Sequence, residues 1–396
     1  MILTESEKKV LSTVRKKGNI AIADVVEDCG LSTATGSRLI NKLISKKFLI
    51  ETEPEPNSGN LEKGRPQRHV RWHCPDYYAI GIDVGTTHIK GAIFNLNLDF
   101  VKEVDMEMIY ENEMSQVFAR INEMIERLLD TNLIDKKRIL GIGVAFAGLV
   151  NKKDKIIKFS PAFNWHHVNA AQYIVNKTKL PLFYDNVTRL MALSEIYFGH
   201  GKSLDNFIFV NIGFGIGASI VIDGNLFTGQ NGYAGEFGHV IAEPDSPIQC
   251  PCGQYGCLTT TSSGEYIAKR FISRLQNGDD SILKEDDLLK IDTKMIFDAA
   301  RNQDALSVSV IDDAIRNLAI RLSDLKKCFD PQAIIIGGGV SINEDYFFSA
   351  LEEKMTYFNK MKYSNGNKLH ILPRSFPGKA ASIGAGMMVA QKVINL

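Results

Sequence analysis

Net charge is what this chain lacks first: 46 Lys and Arg balance 46 Asp and Glu over 396 residues, so no overall polyanion- or polycation-seeking character is present. Long apolar runs are missing too. The main uncharged apolar stretch, Phe207 to Ile222, contains Asn211 and glycines and is shorter than the roughly 20 residues a membrane-spanning helix needs. The start, Met1 to Glu7, places Glu5 and Glu7 where a signal peptide would carry basic and apolar residues, so a cytoplasmic location is expected. Cysteine is scarce, six in all, and Cys29, Cys74 and Cys328 stand singly, which argues against a disulfide framework. What remains, 44% hydrophobic and 23% charged residues, is the make-up of a globular protein, and the length suggests two or three domains.

The other three cysteines are clustered. Cys250, Cys252 and Cys257 follow the segment Gly235-Glu236-Phe237-Gly238-His239, so one imidazole and three thiols fall within nineteen positions. Three thiolates and one imidazole are a donor set that four-coordinate Zn2+ takes, and a site with four protein ligands is closed and structural. His239, Cys250, Cys252 and Cys257 are the expected ligands. The alternative is three buried free cysteines beside a core histidine.

Charge is unevenly spread. Residues 1–72 hold 13 Lys and Arg against 9 Asp and Glu, a surplus of 4 that the remainder cancels. This basic head has a pattern of its own. Thr4-Glu5-Ser6-Glu7 fits a capping box, and Val10, Leu11 and Val14 give the helix after it an apolar face. A second short helix through Ala23, Val25 and Val26 is stopped by Gly30. Ser32 can cap a third, from about Thr33 to Lys47, with Leu39, Ile40, Leu43 and Ile44 on one side. Thr33, Thr35, Ser37, Arg38 and Lys42 are the candidate DNA contacts on this third helix. Phe48 to Glu51 and the alternation around Val70 and Trp72 read as two strands flanking a polar loop, Glu53 to Gln67. In that loop Lys63-Gly64-Arg65-Pro66 is narrow and extended, so Arg65 could enter a minor groove. Three helices followed by such a wing resemble a winged helix-turn-helix, residues 1–72.

After Pro75 strands and helices alternate, an α/β pattern, with three glycine turns. The first spans Asp83 to Lys90, where Gly85 and Thr87 allow close approach of phosphate oxygens and Asp83 could hold a hydrated Mg2+. The second holds Gly213 and Gly215, and the third is Gly337-Gly338-Gly339. Together with Glu236-Phe237-Gly238-His239, the cysteine cluster and Ala381-Ser382-Ile383-Gly384-Ala385-Gly386, these residues resemble the ROK family, of sugar kinases and sugar-responsive repressors. The resemblance implies a two-lobed actin/hexokinase-like (ribonuclease H-like) body, with a first α/β lobe over 76–185 completed by about 376–396. A second lobe over 186–375 would carry the zinc site. The head corresponds to what the repressors add and the kinases lack.

Departures from the kinase pattern follow from that resemblance. Counting back from Glu195 puts Asn186 on the family's Asn and Val187 on its catalytic Asp, and valine cannot accept a proton. Phe214 replaces a small Thr in the second glycine turn, and Thr259 stands where a sugar-binding Glu is expected. The phosphate loops around Asp83, Gly85, Thr87, Gly213 and Gly215 would then be vestigial. Asn186, Glu236 and His239 still match the family's ligand contacts. The expected protein is no enzyme but a repressor of carbohydrate-utilisation genes, binding a palindromic double-stranded operator as a homo-oligomer, dimer or tetramer, under a sugar-type effector. The alternative is an ATP-dependent sugar kinase with an accessory DNA-binding head, in which Asp185, two positions before Val187, takes the missing role. A third possibility is a body held by a partner protein.

Overall fold

Thr4 sets where the first helix begins. Its hydroxyl accepts from the Glu7 amide while the Glu7 carboxylate accepts from the Thr4 amide at 2.8 Å, the reciprocal cap expected from the sequence. The computed structural model describes residues 3–54, 68–108, 113–151, 156–174, 179–283, 288, 290–342, 344–359 and 369–396. The head contains α1 (Glu5–Lys17), β1 (Ile20–Ala21), α2 (Ile22–Asp28), α3 (Thr33–Ser45), β2 (Leu49–Thr52) and β3 (His69–Trp72). Ser32 caps α3 by accepting from the Thr35 amide. The short β1, which periodicity did not suggest, completes an antiparallel sheet of order β1-β3-β2. Gly36 lets α3 lie against α2: a Cβ there would stand 2.3 Å from Val26 Cγ2. The loop expected to form a wing, with Arg65, lies outside the described residues.

Contacts divide the chain into two units, residues 1–203 with 378–396, and residues 204–377. The head therefore belongs to the first unit, and the expected lobe boundary at 186 falls after Ser203 instead. The reason is the helix that follows Asn186, which packs within the first unit.

In that unit follow β4 (Tyr78–Val84), β5 (His88–Asn95), β6 (Phe100–Glu107), α4 (Met114–Leu129) and β7 (Ile139–Phe146). Then come β8 (Leu149–Asn151), β9 (Ile156–Ser160), β10 (Trp165–Val168), β11 (Leu182–Asn186) and α5 (Val187–Phe198). The main sheet has the order β11-β7-β4-β5-β6, with β4, β7 and β11 parallel and β4-β5-β6 an antiparallel meander. Its core joins Ile80, Ile82, Val144 and Phe146 of the sheet to Phe118, Ile121 and Met124 of α4.

The second unit runs β12 (Phe207–Ile212), β13 (Ile216–Ile222), β14 (Asn225–Phe227), α6 (Thr259–Ser262), α7 (Gly264–Gln276) and α8 (Thr293–Arg301). It continues with α9 (Ala305–Phe329), β15 (Ala333–Gly337), α10 (Glu344–Phe358) and β16 (His370–Pro373). Its sheet order, β14-β13-β12-β15-β16, repeats that of the first unit: an antiparallel three-strand meander followed by two parallel strands. Such parallel strands require crossover helices, here α9 and α10, and these bury Ile311, Ile315, Leu318, Phe347 and Leu351.

The chain ends in α11 (Ala380–Val393), again in the first unit, lying along α5. Gly384 is at the crossing, where a Cβ would sit 1.7 Å from the Leu190 carbonyl oxygen. Backbone cannot yield as a flexible side chain can, so Gly384→Ala is expected to destabilise the first unit by about 3 kcal/mol. Urea denaturation of the variant, followed by circular dichroism, reads the loss.

Candidate functional site

The junction of β11 and α5 carries the residues on which the kinase alternative turns. Asp185 is 2% exposed and Arg189, one helical turn on, is 4% exposed. Arg189 Nε donates to Asp185 Oδ1 at 2.7 Å, and its Nη2 contacts the same oxygen. The Asn186 amide also donates to Oδ1, at 2.7 Å, while Arg189 Nη2 donates to the Val150 carbonyl at 3.0 Å. Three donors thus converge on one oxygen of this carboxylate, which is held inside the fold against its guanidinium. Arg189 was missed in the sequence; its i,i+4 spacing from Asp185 was the available signal.

Asn186 caps α5. Its Oδ1 accepts from the amides of Thr188 at 2.9 Å and Arg189 at 3.2 Å, and its Nδ2 donates to the Gly148 carbonyl at 2.7 Å. Both lone pairs and one N–H are thus engaged within the fold. One N–H has no partner among the described residues, so Asn186 offers a ligand a donor and not the two-way pairing expected from its residue type. Val187 opens the helix beside it.

Asp83 is the penultimate residue of β4, and Gly85 and Thr87 lie in the turn that follows, closed by the Gly85 amide donating to the His88 carbonyl at 2.9 Å. Burial pushes the Asp83 carboxyl up to about 6, with Lys90 pulling the other way. In the second unit Gly213 and Gly215 bracket Phe214, whose ring is 53% exposed on the turn between β12 and β13.

His239, Cys250, Cys252 and Cys257 converge in the second unit, their ligand atoms all within 4.8 Å of one another. Cys252 and Cys257 sulfurs are 3.7 Å apart, and Cys250 Sγ is 3.5 Å from His239 Nδ1. A tetrahedral ion with metal–sulfur bonds of about 2.3 Å would space its sulfurs by about 3.8 Å, so the donors fit one. Burial raises the thiols of Cys250 and Cys257, a cost that a bound cation would reverse. Between β14 and α6 the chain has only a 3-10 turn, Phe237–His239, and two isolated bridges, Ile241 to Cys257 and Gln249 to Tyr255. Such a segment holds few ladder hydrogen bonds of its own. The second nitrogen of His239, Nε2, lies 3.8 Å from Glu236 Oε2. Thr259 is 7% exposed, and its hydroxyl has no hydrogen-bond partner among the described residues.

On the head, Thr33 and Arg38 are exposed, and Thr35 and Ser37 are half-buried. Lys42 is exposed but bridges inward, its Nζ 3.1 Å from Glu7 Oε1, with Lys46 Nζ at 2.8 Å from the same oxygen. The Glu7 side chain is wholly buried. Burial alone would raise its pKa, yet Lys46, the Thr4 amide and Lys42 outweigh it and hold the carboxyl down at about 2. Part of the charge that sequence reading assigned to an outside contact is therefore already used to fasten α3 to α1.

The profile of the ROK family matches residues 79–392. The chain belongs to the ROK family. It is 26% identical over 392 residues to the xylose repressor of Bacillus spizizenii, spanning 99% of this chain and 96% of that protein. The glucokinase of Halalkalibacterium halodurans is 28% identical over 319 residues, 80% of this chain and 96% of the enzyme. A crystal structure of a ROK family transcriptional regulator, described as a homologue of the E. coli MLC protein, aligns with a TM-score of 0.78 at 26% identity, covering 98% of this chain and 95% of that one. Both kinds of ROK protein are thus among the relatives, and the regulators span the head as well as the body. No helix among the described residues is long and apolar enough to cross a membrane.

The buried bridge has a pH signature. Glu7 is depressed from 4.5 to about 2, so its contribution to stability is complete above pH 4.5 and fades as pH falls toward 2. Glu7→Gln is expected to cost about 2 kcal/mol at pH 7, and the gap from wild type should close toward pH 2. Thermal melts of both proteins at a series of pH values check the sign.

Proposed function

We propose that this ROK protein is a DNA-binding transcriptional repressor of carbohydrate-utilisation genes, whose operator binding responds to a sugar or sugar derivative held by the body. One observation carries the choice against a kinase. The position of the proton acceptor is Val187, and the carboxylate two residues away, Asp185, is buried against Arg189. The span of the relatives named repressors over the head supports the same reading.

The head is read as a winged helix-turn-helix. α3 is its recognition helix, placing Thr33, Thr35, Ser37 and Arg38 toward base edges and Lys42 toward phosphate, with Arg65 proposed as a minor-groove contact. A single head of this size has little affinity, so the protein works as a homo-oligomer on a palindrome whose half-sites lie about 10 bp apart or a multiple of it. The residues proposed to contact a ligand are Asn186 within the first unit and, taken separately, Glu236 and His239 within the second. The loss of carboxylates at 187 and 259 favours an effector with an apolar or anionic substituent over a plain neutral hexose. Zn2+ is the proposed occupant of the Cys3His cluster and acts as a staple, with no part in chemistry. The kinase alternative keeps one supporting feature, the retained Glu236 and His239. Coupled measurement of ATP turnover over a sugar panel separates the two, and sustained phosphorylation of any sugar refutes a silent body.

Selection from a random DNA pool should enrich a palindrome. On that sequence Arg38→Ala is expected to weaken binding by about 1–3 kcal/mol and relax one base position, while Lys42→Ala, already bridged to Glu7, should cost less. Equal binding by Arg38→Ala and wild type would show that α3 is not the reading helix. Cys252→Ser should lower bound zinc and melting temperature together. Elemental analysis with calorimetry tests this, and unaltered zinc content rules the ligand set out.

A further inference from the structure

Head and body meet in the first unit along α1, at the C-terminal end of α5. The Arg15 guanidinium, on α1, donates to the Ile196 carbonyl, and its Cζ lies 4.4 Å from the centroid of the Tyr197 ring. Tyr197 is buried, and its hydroxyl donates to the Leu396 carbonyl at 3.5 Å. Beside it, the Leu3 amide donates to the Ile394 carbonyl at 3.0 Å, and the Asn395 side chain donates to the Leu3 carbonyl at 3.3 Å. Carbonyls in the last turn of a helix have no amide partner within it and form its negative pole, so a cation placed there is favoured. The ring face of Tyr197 favours it further.

The opposite end of α5 is the junction already described, where Asn186 caps the helix and Arg189 is locked to Asp185. A helix of 12 residues is about 18 Å long. Its lateral support is α11, in backbone contact at Gly384, and α11 runs on into the Ile394–Leu396 tail that touches Leu3 and Tyr197. α1 carries Glu7 as well, whose carboxylate holds Lys42 and Lys46 of α3. A contiguous set of polar contacts thus leads from the Asn186 cap, along α5, through Arg15 and α1, to the helix read as the DNA-contacting one.

We infer that Arg15 is the positioning residue through which occupation of the Asn186 end of α5 alters the setting of the head. The inference deepens the proposed function and rests on it for the meaning of the two ends, one for effector and one for DNA. A ligand accepting from the remaining Asn186 N–H tilts α5 at its N-terminus. Arg15, fixed to the other end by a carbonyl and a ring, passes the tilt to α1. The cation, its forked donors and its planar face are all used, so lysine replaces only the charge.

Hydrogen exchange on the full chain tests the link without DNA or sugar, using a double-mutant cycle of Asn186→Ala and Arg15→Met. With Arg15 present, Asn186→Ala should speed exchange of the α1 amides by about threefold or more, the size expected of coupled sites. In the R15M background it should leave them unchanged. An equal effect in both backgrounds, as global destabilisation would give, or no effect with Arg15 present, overturns the inference. If R15M loses its folded head, R15K replaces it in the cycle, where an undiminished effect of Asn186→Ala is the refuting result. A failed cycle removes the link and leaves the repressor reading standing. A random DNA pool that yields no enriched sequence removes that reading and leaves the link.

Discussion

Burying a carboxylate and a guanidinium together costs several kcal/mol of desolvation for each ion, and their attraction offsets this only when the remaining donors and acceptors are also satisfied. Asp185 and Arg189 meet that condition: the fork of Arg189 lies on one carboxylate oxygen, the Asn186 amide adds a third donor, and the Val150 carbonyl takes the spare guanidinium N–H. Such an arrangement tolerates little rotation of α5 about the end of β11. Without a ligand at the Asn186 cap it therefore sets the presentation of Asn186 and Val187 and the direction of the helix on which α11 and α1 lean. The same pair holds the carboxylate two residues before Val187 inside the fold.

The head follows a similar logic on a smaller scale. Glu7 is a capping residue and a buried counter-charge at once, so the start of α1 and the seating of α3 depend on one carboxylate. Gly36 lets the same helix lie against α2 at Val26. In the second unit the problem is different: the segment from β14 to α6 has little regular structure, and its four soft donors gather where a ladder of hydrogen bonds is missing. A metal ion supplies cohesion in such a place because its bonds do not need secondary structure to be satisfied.

Much of the candidate site was legible before any coordinates. The Thr4 cap, the Ser32 cap and the gathering of His239 with Cys250, Cys252 and Cys257 are all short-range patterns, and each appears in the structure as spacing implied. The resemblance described a ROK body after the head, and the ROK match over residues 79–392 accords with that. What was not legible involved partners chosen by packing. Asn186 looked like a free amide and is mostly consumed by its own helix; Lys42 looked outward and is half turned inward. The boundary near 186 was misplaced because nothing in a single sequence says that α5 packs on a helix beginning at Ala380.

The chain by itself determined where helices begin and which donors could share an ion, since those depend on residues within a turn or a loop of one another. Tertiary structure alone decided that Arg15 meets Ile196 and Tyr197, that Leu3 meets Ile394, and that Gly384 lies against Leu190. Contacts across nearly two hundred residues or more leave no periodic trace in a sequence. They are set when buried area, backbone approach and charge pairing are satisfied together.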